Sequence, residues 1–336
     1  MDISIGNRRY TGSKKALLED IYRSIEFYPK SRAVFADLFA GTGVVSFFML
    51  DKGMDVIVND FLASNYVAYQ AWFGHGDFNK KKLEKIVIEF NSLNGKKLKA
   101  NYFSKIYGSK YFSIADAKKI GYIRDELDKI KLTKREKSIL LTSLMYATDK
   151  IANTVGHFEH FLSKKPEDKG ITLKLPTIRD FKGNVTLYKM DANKLVREIK
   201  CDIAYIDPPY NARQYINFYH VLENLVEWSK PTEFEGISMK FKRNHLKSDY
   251  SKSKAPVVFK DLIDNLQAKV IVVSYNNTYS AKSSASNNKI SETQLIDILS
   301  TRGKVTVKEI THKFFNSGKT DFKDHKELLY ICRIKQ

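Results

Sequence analysis

The four residues Asp207-Pro208-Pro209-Tyr210, directly behind the apolar run DIAYI at 202–206, are the strongest candidate for chemistry in the sequence. Two consecutive prolines neither continue a strand nor sit inside a helix, so the backbone must leave a sheet there in a fixed conformation. A carboxylate and an aromatic ring are thereby held at the C-terminal edge of a buried strand. A second constellation, Asp37-Leu38-Phe39-Ala40-Gly41-Thr42-Gly43, lies between the apolar run AVFADLF and the helical pattern of Val44, Val45, Phe47 and Phe48. Glycines in such a turn let a ligand approach the backbone where open α/β sheets bind nucleotides. Ser46 stands where the dinucleotide fingerprint has its third glycine, so a plain strand-to-helix turn is the competing reading. Asp60 ends the next apolar run, 17 residues after Gly43, where an acid can accept hydrogen bonds from both hydroxyls of a ribose. The glycine turn and this acid together predict an adenosine-containing ligand.

These residues need strands to carry them. Buried-strand candidates are 33–39, 55–60, 202–206, 269–274 and 327–332, and helical spacing is clear at 11–28, 218–228 and 290–300. The alternation predicts an α/β fold, an open sheet covered on both faces. The stretch 66–165 breaks it, being Lys-rich and helical in pattern, with Leu127, Ile130, Ile139, Leu140, Leu144 and Ile151 as core positions. An inserted helical domain is expected over 66–169, with 1–65 and 170–336 forming the sheet domain. The patch SAKSSASNN at 280–288 reads as a loop, and 313–326 as a hairpin able to reach a ligand.

The chain has 336 residues with 57 Lys and Arg against 38 Asp and Glu, a net charge of +19. Segments 61–183 and 237–260 carry net charges of +11 and +6, whereas the rest of the chain is almost neutral. Charge gathered into two segments favours a polyanion, because phosphate contacts gain from counterion release where cations cluster. With 43% hydrophobic and 12% aromatic residues the chain is no disordered basic tail. Its two cysteines, Cys201 and Cys332, offer neither a disulfide framework nor paired metal-ligand spacing. The N-terminal residues show no signal-peptide pattern and no apolar run approaches a membrane span, which makes the cytosol the expected compartment.

Taken together, these motifs resemble the D12 class of N6-adenine-specific DNA methyltransferases in their alpha order: a leading cofactor motif, the glycine motif, an inserted recognition domain and then DPPY. The leading motif is Arg9-Tyr10-Thr11-Gly12-Ser13-Lys14, and Tyr188-Lys189-Met190-Asp191-Ala192 precedes the catalytic strand. The resemblance implies a doubly wound, mixed, Rossmann-like sheet of the S-adenosylmethionine-dependent methyltransferase type with an inserted, mostly helical target-recognition domain. It implies cofactor contacts at Tyr10, Gly12, Ser13, Lys14, Asp37, Phe39, Gly41, Gly43, Asp60, Asp191 and Asp207, and catalysis by Asp207, Pro208, Pro209 and Tyr210, with no metal. It further implies duplex DNA as substrate. DPPYNARQY followed by YHVLENLVEW looks like a restriction-modification subgroup, some of whose members modify sites containing ATG, such as CATG; a cognate endonuclease is then an expected partner.

An adenine inside a duplex is out of reach, so the base must leave the stack, and Tyr210 offers a ring for it to rest on. Arg213, Gln214 and Tyr215 follow the motif, and Lys240, Lys242, Arg243, Lys247 and Lys252 form a basic run behind it; these are the nucleic-acid candidates, against the reading that they pack or are merely solvated. His157 and His160 read as packing or a DNA-facing turn rather than a metal pair. The cluster Tyr102, Phe103, Tyr107, Tyr111 and Phe112 could be a stacking platform but reads better as the core of a small domain. Two other functions compete: an RNA adenine methyltransferase, disfavoured by the leading motif and the basic insert, and an inactive DNA-binding protein of this fold, disfavoured by the intact Asp207 and glycine turn.

Overall fold

The structure, a computed structural model, describes residues 3–29, 31–278, 286–310 and 326–335. Most of the 280–288 patch, and all of 313–326 except Lys326, lie outside the described residues. The chain divides into two compact units, one made of 1–12, 62–180 and 216–245, the other of 13–61, 181–215 and 246–336.

The second unit is built on a seven-stranded sheet. Its strands are β1 (Val34–Asp37), β2 (Asp55–Asn59), β3 (Val185–Tyr188), β4 (Ile203–Ile206), β7 (Val270–Asn276), β8 (Gly303–Ile310) and β9 (Glu327–Ile334). Their order is β3-β2-β1-β4-β7-β9-β8. The pairs β3/β2, β2/β1, β1/β4 and β4/β7 are parallel, while β9 is antiparallel to both neighbours. The sheet is thus doubly wound and mixed: the chain travels outward from β1 to β3, then returns to the other side of β1. That reversal leaves a crevice at the C-terminal ends of β1 and β4, the usual ligand position in such sheets.

The expected strands are present because their residues have no other solution. In β4 and β7 apolar side chains point to both faces, and every residue of β4 is buried. Only a sheet covered on both sides can hold such runs. The main core of this unit unites Leu195, Ile206, Phe259, Leu262, Ile271, Leu295 and Tyr330. Two strands escaped the sequence reading. β3 is short and half exposed, and β8 is an edge strand whose polar residues face water. Both lack the continuous apolar run that marks a buried parallel strand.

The first unit is mainly helical. Helix Ala63–Trp72 packs on Lys134–Ile151, the latter opened by a capping box of Thr133 and Glu136, which satisfies two otherwise orphaned backbone donors. The aromatic cluster is core: Phe103, Tyr107 and Tyr111 are fully buried and Phe112 nearly so. Tyr107 accepts a hydrogen bond from Asn224, and Tyr111 donates to the Phe158 carbonyl. His157 lies against the Phe218 ring at 4.6 Å, so this histidine is packed locally. A two-stranded hairpin, β5 (Phe234–Glu235) and β6 (Lys240–Phe241), completes the unit.

Candidate functional site

The glycine turn forms as the sequence demands. Gly41 and Gly43 have φ of 54° and 82°, a region that side chains disfavour, and helix Val44–Asp51 starts directly behind them. The Gly41 amide donates to Asp60 Oδ2 at 2.9 Å, so the acid directly after β2 braces the turn that follows β1. Asp37 is buried, and Ser46 Oγ donates to its Oδ2 at 2.7 Å. The departure from the three-glycine pattern therefore has a structural use: the serine at that position holds the carboxylate. The other oxygen of Asp37, Oδ1, is buried without a hydrogen-bond partner. Burial pushes the Asp37 carboxyl up to about 7, with Asp207 and Asp60 adding to the rise against the Ser46 hydrogen bond. An orphaned, desolvated carboxylate oxygen beside a glycine turn fits a ligand with a cationic group at one end.

Behind β4 the double proline turns the chain out of the sheet. Asp207 receives two donors there: Lys14 Nζ lies 2.9 Å from Oδ2 and the Tyr210 hydroxyl donates to Oδ1 at 2.5 Å. Lys14 opens a short 3-10 turn, Lys14–Leu17, and is buried. Burial alone would lower its pKa, yet Asp207, Glu327 and Asp37 together raise it. The Lys14 ammonium also stands 5.1 Å from the centre of the Tyr210 ring, and Tyr275 packs on that ring at 4.5 Å while its hydroxyl donates to the Tyr210 carbonyl.

Sequence reasoning missed Glu327. It is the first residue of β9, buried, with Oε2 3.5 Å from the Tyr210 hydroxyl. Pairing of Glu327 with Asn276 at the end of β7 puts it at the same sheet edge as Asp207. The only local signal was an acid at the start of an apolar run, and its meaning depends on β9 running antiparallel.

Other candidates have varied surroundings. Phe39 packs edge-on against Tyr250 at 5.1 Å. Asp191 is exposed and caps the turn Ala192–Leu195. Ser13 precedes Lys14 in the sheet unit, whereas Tyr10 and Gly12 belong to the first unit, where the Tyr10 ring stacks on Tyr219 at 4.7 Å. Arg213 is exposed and reaches Ser286, but the Gln214 amide is bound at both ends to the Ser248 backbone. Tyr215 opens helix Tyr215–Glu227. Arg243 is buried, donating to Asn217, Glu235 and the Phe241 carbonyl. Lys240 is half-buried, and its pKa is lowered by that burial. Lys242 is exposed beside Glu233, Lys247 is half-buried, and Lys252 pairs with Asp249. Among the described residues, no three His, Cys, Asp or Glu side chains gather as a metal site, and no helix is long and apolar enough to cross a membrane.

The family model for D12 class N6 adenine-specific DNA methyltransferases matches residues 10–313. The chain belongs to this family. Its sheet is accordingly of the Rossmann-like methyltransferase type, and an enzyme of this class methylates DNA using S-adenosylmethionine. The chain is 35% identical to Modification methylase StsI of Streptococcus sanguinis over 97% of this chain and 52% of that protein. It is 31% identical to Type II methyltransferase M.NlaIII of Neisseria lactamica over 94% of this chain and 95% of that protein. With Type II methyltransferase M.FokI of Planomicrobium okeanokoites the identity is 34%, over 80% and 44%. The chain thus spans nearly all of the M.NlaIII length but only about half of StsI.

Proposed function

We propose that this chain transfers a methyl group from S-adenosylmethionine to the exocyclic N6 of an adenine in a specific duplex DNA site, as the modification enzyme of a restriction-modification system. The observation that carries the reading is the cluster of Lys14, Asp207 and Tyr210 at the sheet edge where β1 and β4 part. A cognate endonuclease cutting the same site, a cytoplasmic location and recognition of the site by the 66–169 segment belong to the same reading. The net charge of segments 61–183 and 237–260 supports a nucleic-acid partner.

S-adenosylmethionine, when bound, supplies a methyl group on a positively charged sulfur that a nucleophile can take directly. Asp60 would hold the ribose hydroxyls, and Asp37, with its orphaned oxygen, would meet the ammonium of the methionine end. The target amine needs activation, because its lone pair is delocalised into the adenine ring. Asp207 and the Pro208 carbonyl accept the two N6 hydrogens, which favours a pyramidal nitrogen with its lone pair aimed at the methyl carbon. Each carboxylate oxygen of Asp207 can accept more than one donor, so Lys14 and Tyr210 need not leave. Transfer would be in line, the N6–carbon bond forming as the sulfur–methyl bond breaks to leave S-adenosylhomocysteine, with one N6 proton released by way of the Asp207 carboxylate and no covalent enzyme intermediate; positioning with electrostatics supplies the acceleration. The base is presented after flipping, at a cost of a few kcal/mol that phosphate contacts offset.

Incubation with labelled S-adenosylmethionine and separate duplex DNA, RNA and protein acceptors, followed by digestion and identification of the product, tests the proposal. Label in N6-methyladenine of duplex DNA is expected. Label confined to RNA or protein, or absent from every acceptor, overturns it.

A further inference from the structure

Within the reading just proposed, we infer that Tyr219 is a positioning residue for the cofactor, its ring and its hydroxyl together holding Tyr10 and Thr11 of the leading motif where S-adenosylmethionine meets them. This rests on the proposed contact of the leading motif with the cofactor for its purpose, and on the geometry around Tyr219 for its content.

Tyr219 lies in helix Tyr215–Glu227, which follows the DPPY turn, and is fully buried. Two different parts of it meet two successive residues. The Tyr10 ring lies on its ring at 4.7 Å, with 4° between the planes, and the Thr11 amide donates to its hydroxyl at 2.7 Å. The arrangement needs a flat face and an acceptor at the far end of it, and tyrosine has both. Thr11 and Gly12 form the turn that leads into Ser13 and Lys14, Gly12 with φ of 80°. A hydrogen bond at the first amide of that turn and a stacked ring just before it fix both the direction of the motif and its rotation about the chain.

Tyr219 can hold its neighbours because it is itself held. The Arg8 guanidinium lies 4.9 Å from the centre of its ring and 5.4 Å from that of Tyr10, and Arg8 Nη1 donates to Asn65 Oδ1 at 2.6 Å. Asn65 belongs to helix Ala63–Trp72, whose amides at Ala63 and Ser64 donate to the Glu223 carboxylate at 2.7 and 2.9 Å. Glu223 stands one turn beyond Tyr219 on the same face of its helix. The contacts thus close a ring from Tyr219 through Tyr10, Arg8, Asn65 and Glu223 back to Tyr219. The Arg9 amide adds a separate tie, to Asp149 Oδ2 at 3.0 Å. Tyr219 acts on the cofactor through Tyr10 and Thr11, without touching it.

Calorimetric titration with S-adenosylmethionine in the absence of DNA, beside steady-state transfer, tests this. Tyr219→Phe keeps the stack and loses the acceptor, and should weaken cofactor binding about fivefold. The KM for S-adenosylmethionine should rise with it, while kcat and the KM for DNA stay near wild type, so that excess cofactor restores the rate. Tyr219→Leu loses ring and acceptor and should weaken binding further. In a Tyr10→Leu background it should add no more than the loss of the acceptor, because its ring acts through that of Tyr10. Cofactor affinity equal to wild type in Tyr219→Phe overturns the inference, and so does a loss of rate that excess S-adenosylmethionine leaves in place, the mark of a tyrosine that only supports the fold. Fully additive effects of Tyr10→Leu and Tyr219→Leu contradict it too; should the leucine variants not fold, Tyr219→Phe alone decides. A wild type that binds S-adenosylmethionine but methylates no DNA sinks the proposed function while the binding comparison still reports on Tyr219, and a wild type that binds no S-adenosylmethionine overturns both.

Discussion

The Lys14 ammonium lies 2.9 Å from the Asp207 carboxylate, with 5% and 15% of the two side chains exposed. A leading segment of the chain thus closes on the loop behind β4 through one buried ion pair. Removing one partner leaves a buried charge alone, which typically costs about 3–5 kcal/mol. Asp207→Ala is therefore expected to lower stability by about that amount, and Lys14→Met added to Asp207→Asn should recover much of it. Urea unfolding of the four proteins measures the difference.

Asp37 gives the enzyme a pH dependence of known sign. Its carboxyl titrates near 7 in the fold against 3.8 ordinarily, so the protein is favoured below pH 3.8 and loses that contribution as pH rises toward 7. The deficit above pH 7 is as much as about 4 kcal/mol at 1.36 kcal/mol per unit. Asp37→Asn should therefore unfold at higher urea than wild type at pH 8 while binding S-adenosylmethionine more weakly. Because the proposed contact with the cationic end of the ligand would favour the ionised carboxyl, wild-type affinity should climb with pH up to about 7 and then level. Calorimetry in buffers of different ionisation heat should detect proton release below that pH.

Tyr210 has two separable contributions, its ring and its hydroxyl. Tyr210→Phe keeps the ring and loses the donor to Asp207, and should slow transfer moderately. Tyr210→Ala also loses the proposed stacking face, and such a face is worth about 1–3 kcal/mol per base. With 2-aminopurine at the target position, the alanine variant should show weaker binding and a smaller flipping signal than the phenylalanine variant.

The basic residues that follow the DPPY motif in sequence are not equivalent. Lys242 is 76% exposed, whereas Arg243 is 8% exposed and held by Asn217 and Glu235. If Lys242 meets a phosphate, Lys242→Ala should reduce the salt slope of DNA binding by about one. Arg243→Ala should instead lower the melting temperature of the protein, because it leaves Asn217 and the hairpin without their shared donor. Affinity measured between 50 and 200 mM salt, beside thermal melts, distinguishes the two.

The contrast marks what the sequence could reveal. The glycine turn, Asp60 and the double proline were legible because each is a local pattern whose backbone consequence follows from residue type. Gln214 and Arg243 were not, since their side chains say nothing about whether a protein or a nucleic acid will satisfy them; both find protein partners. Glu327 was illegible for a different reason. Its place beside Tyr210 depends on β9 returning antiparallel, a pairing spread over the whole last part of the chain. Likewise, residues 1–12 join the helical unit while Ser13 and Lys14 join the sheet, a division no feature of that short segment announces.

Asp207 is the group proposed to activate the target amine. The most direct test is single-turnover methyl transfer to a duplex containing the modified site, measured for wild type, Asp207→Asn and Asp207→Ala alongside S-adenosylmethionine affinity. Both substitutions should abolish transfer and leave cofactor affinity within a few fold. Near wild-type turnover in either variant would show that the chemistry lies elsewhere.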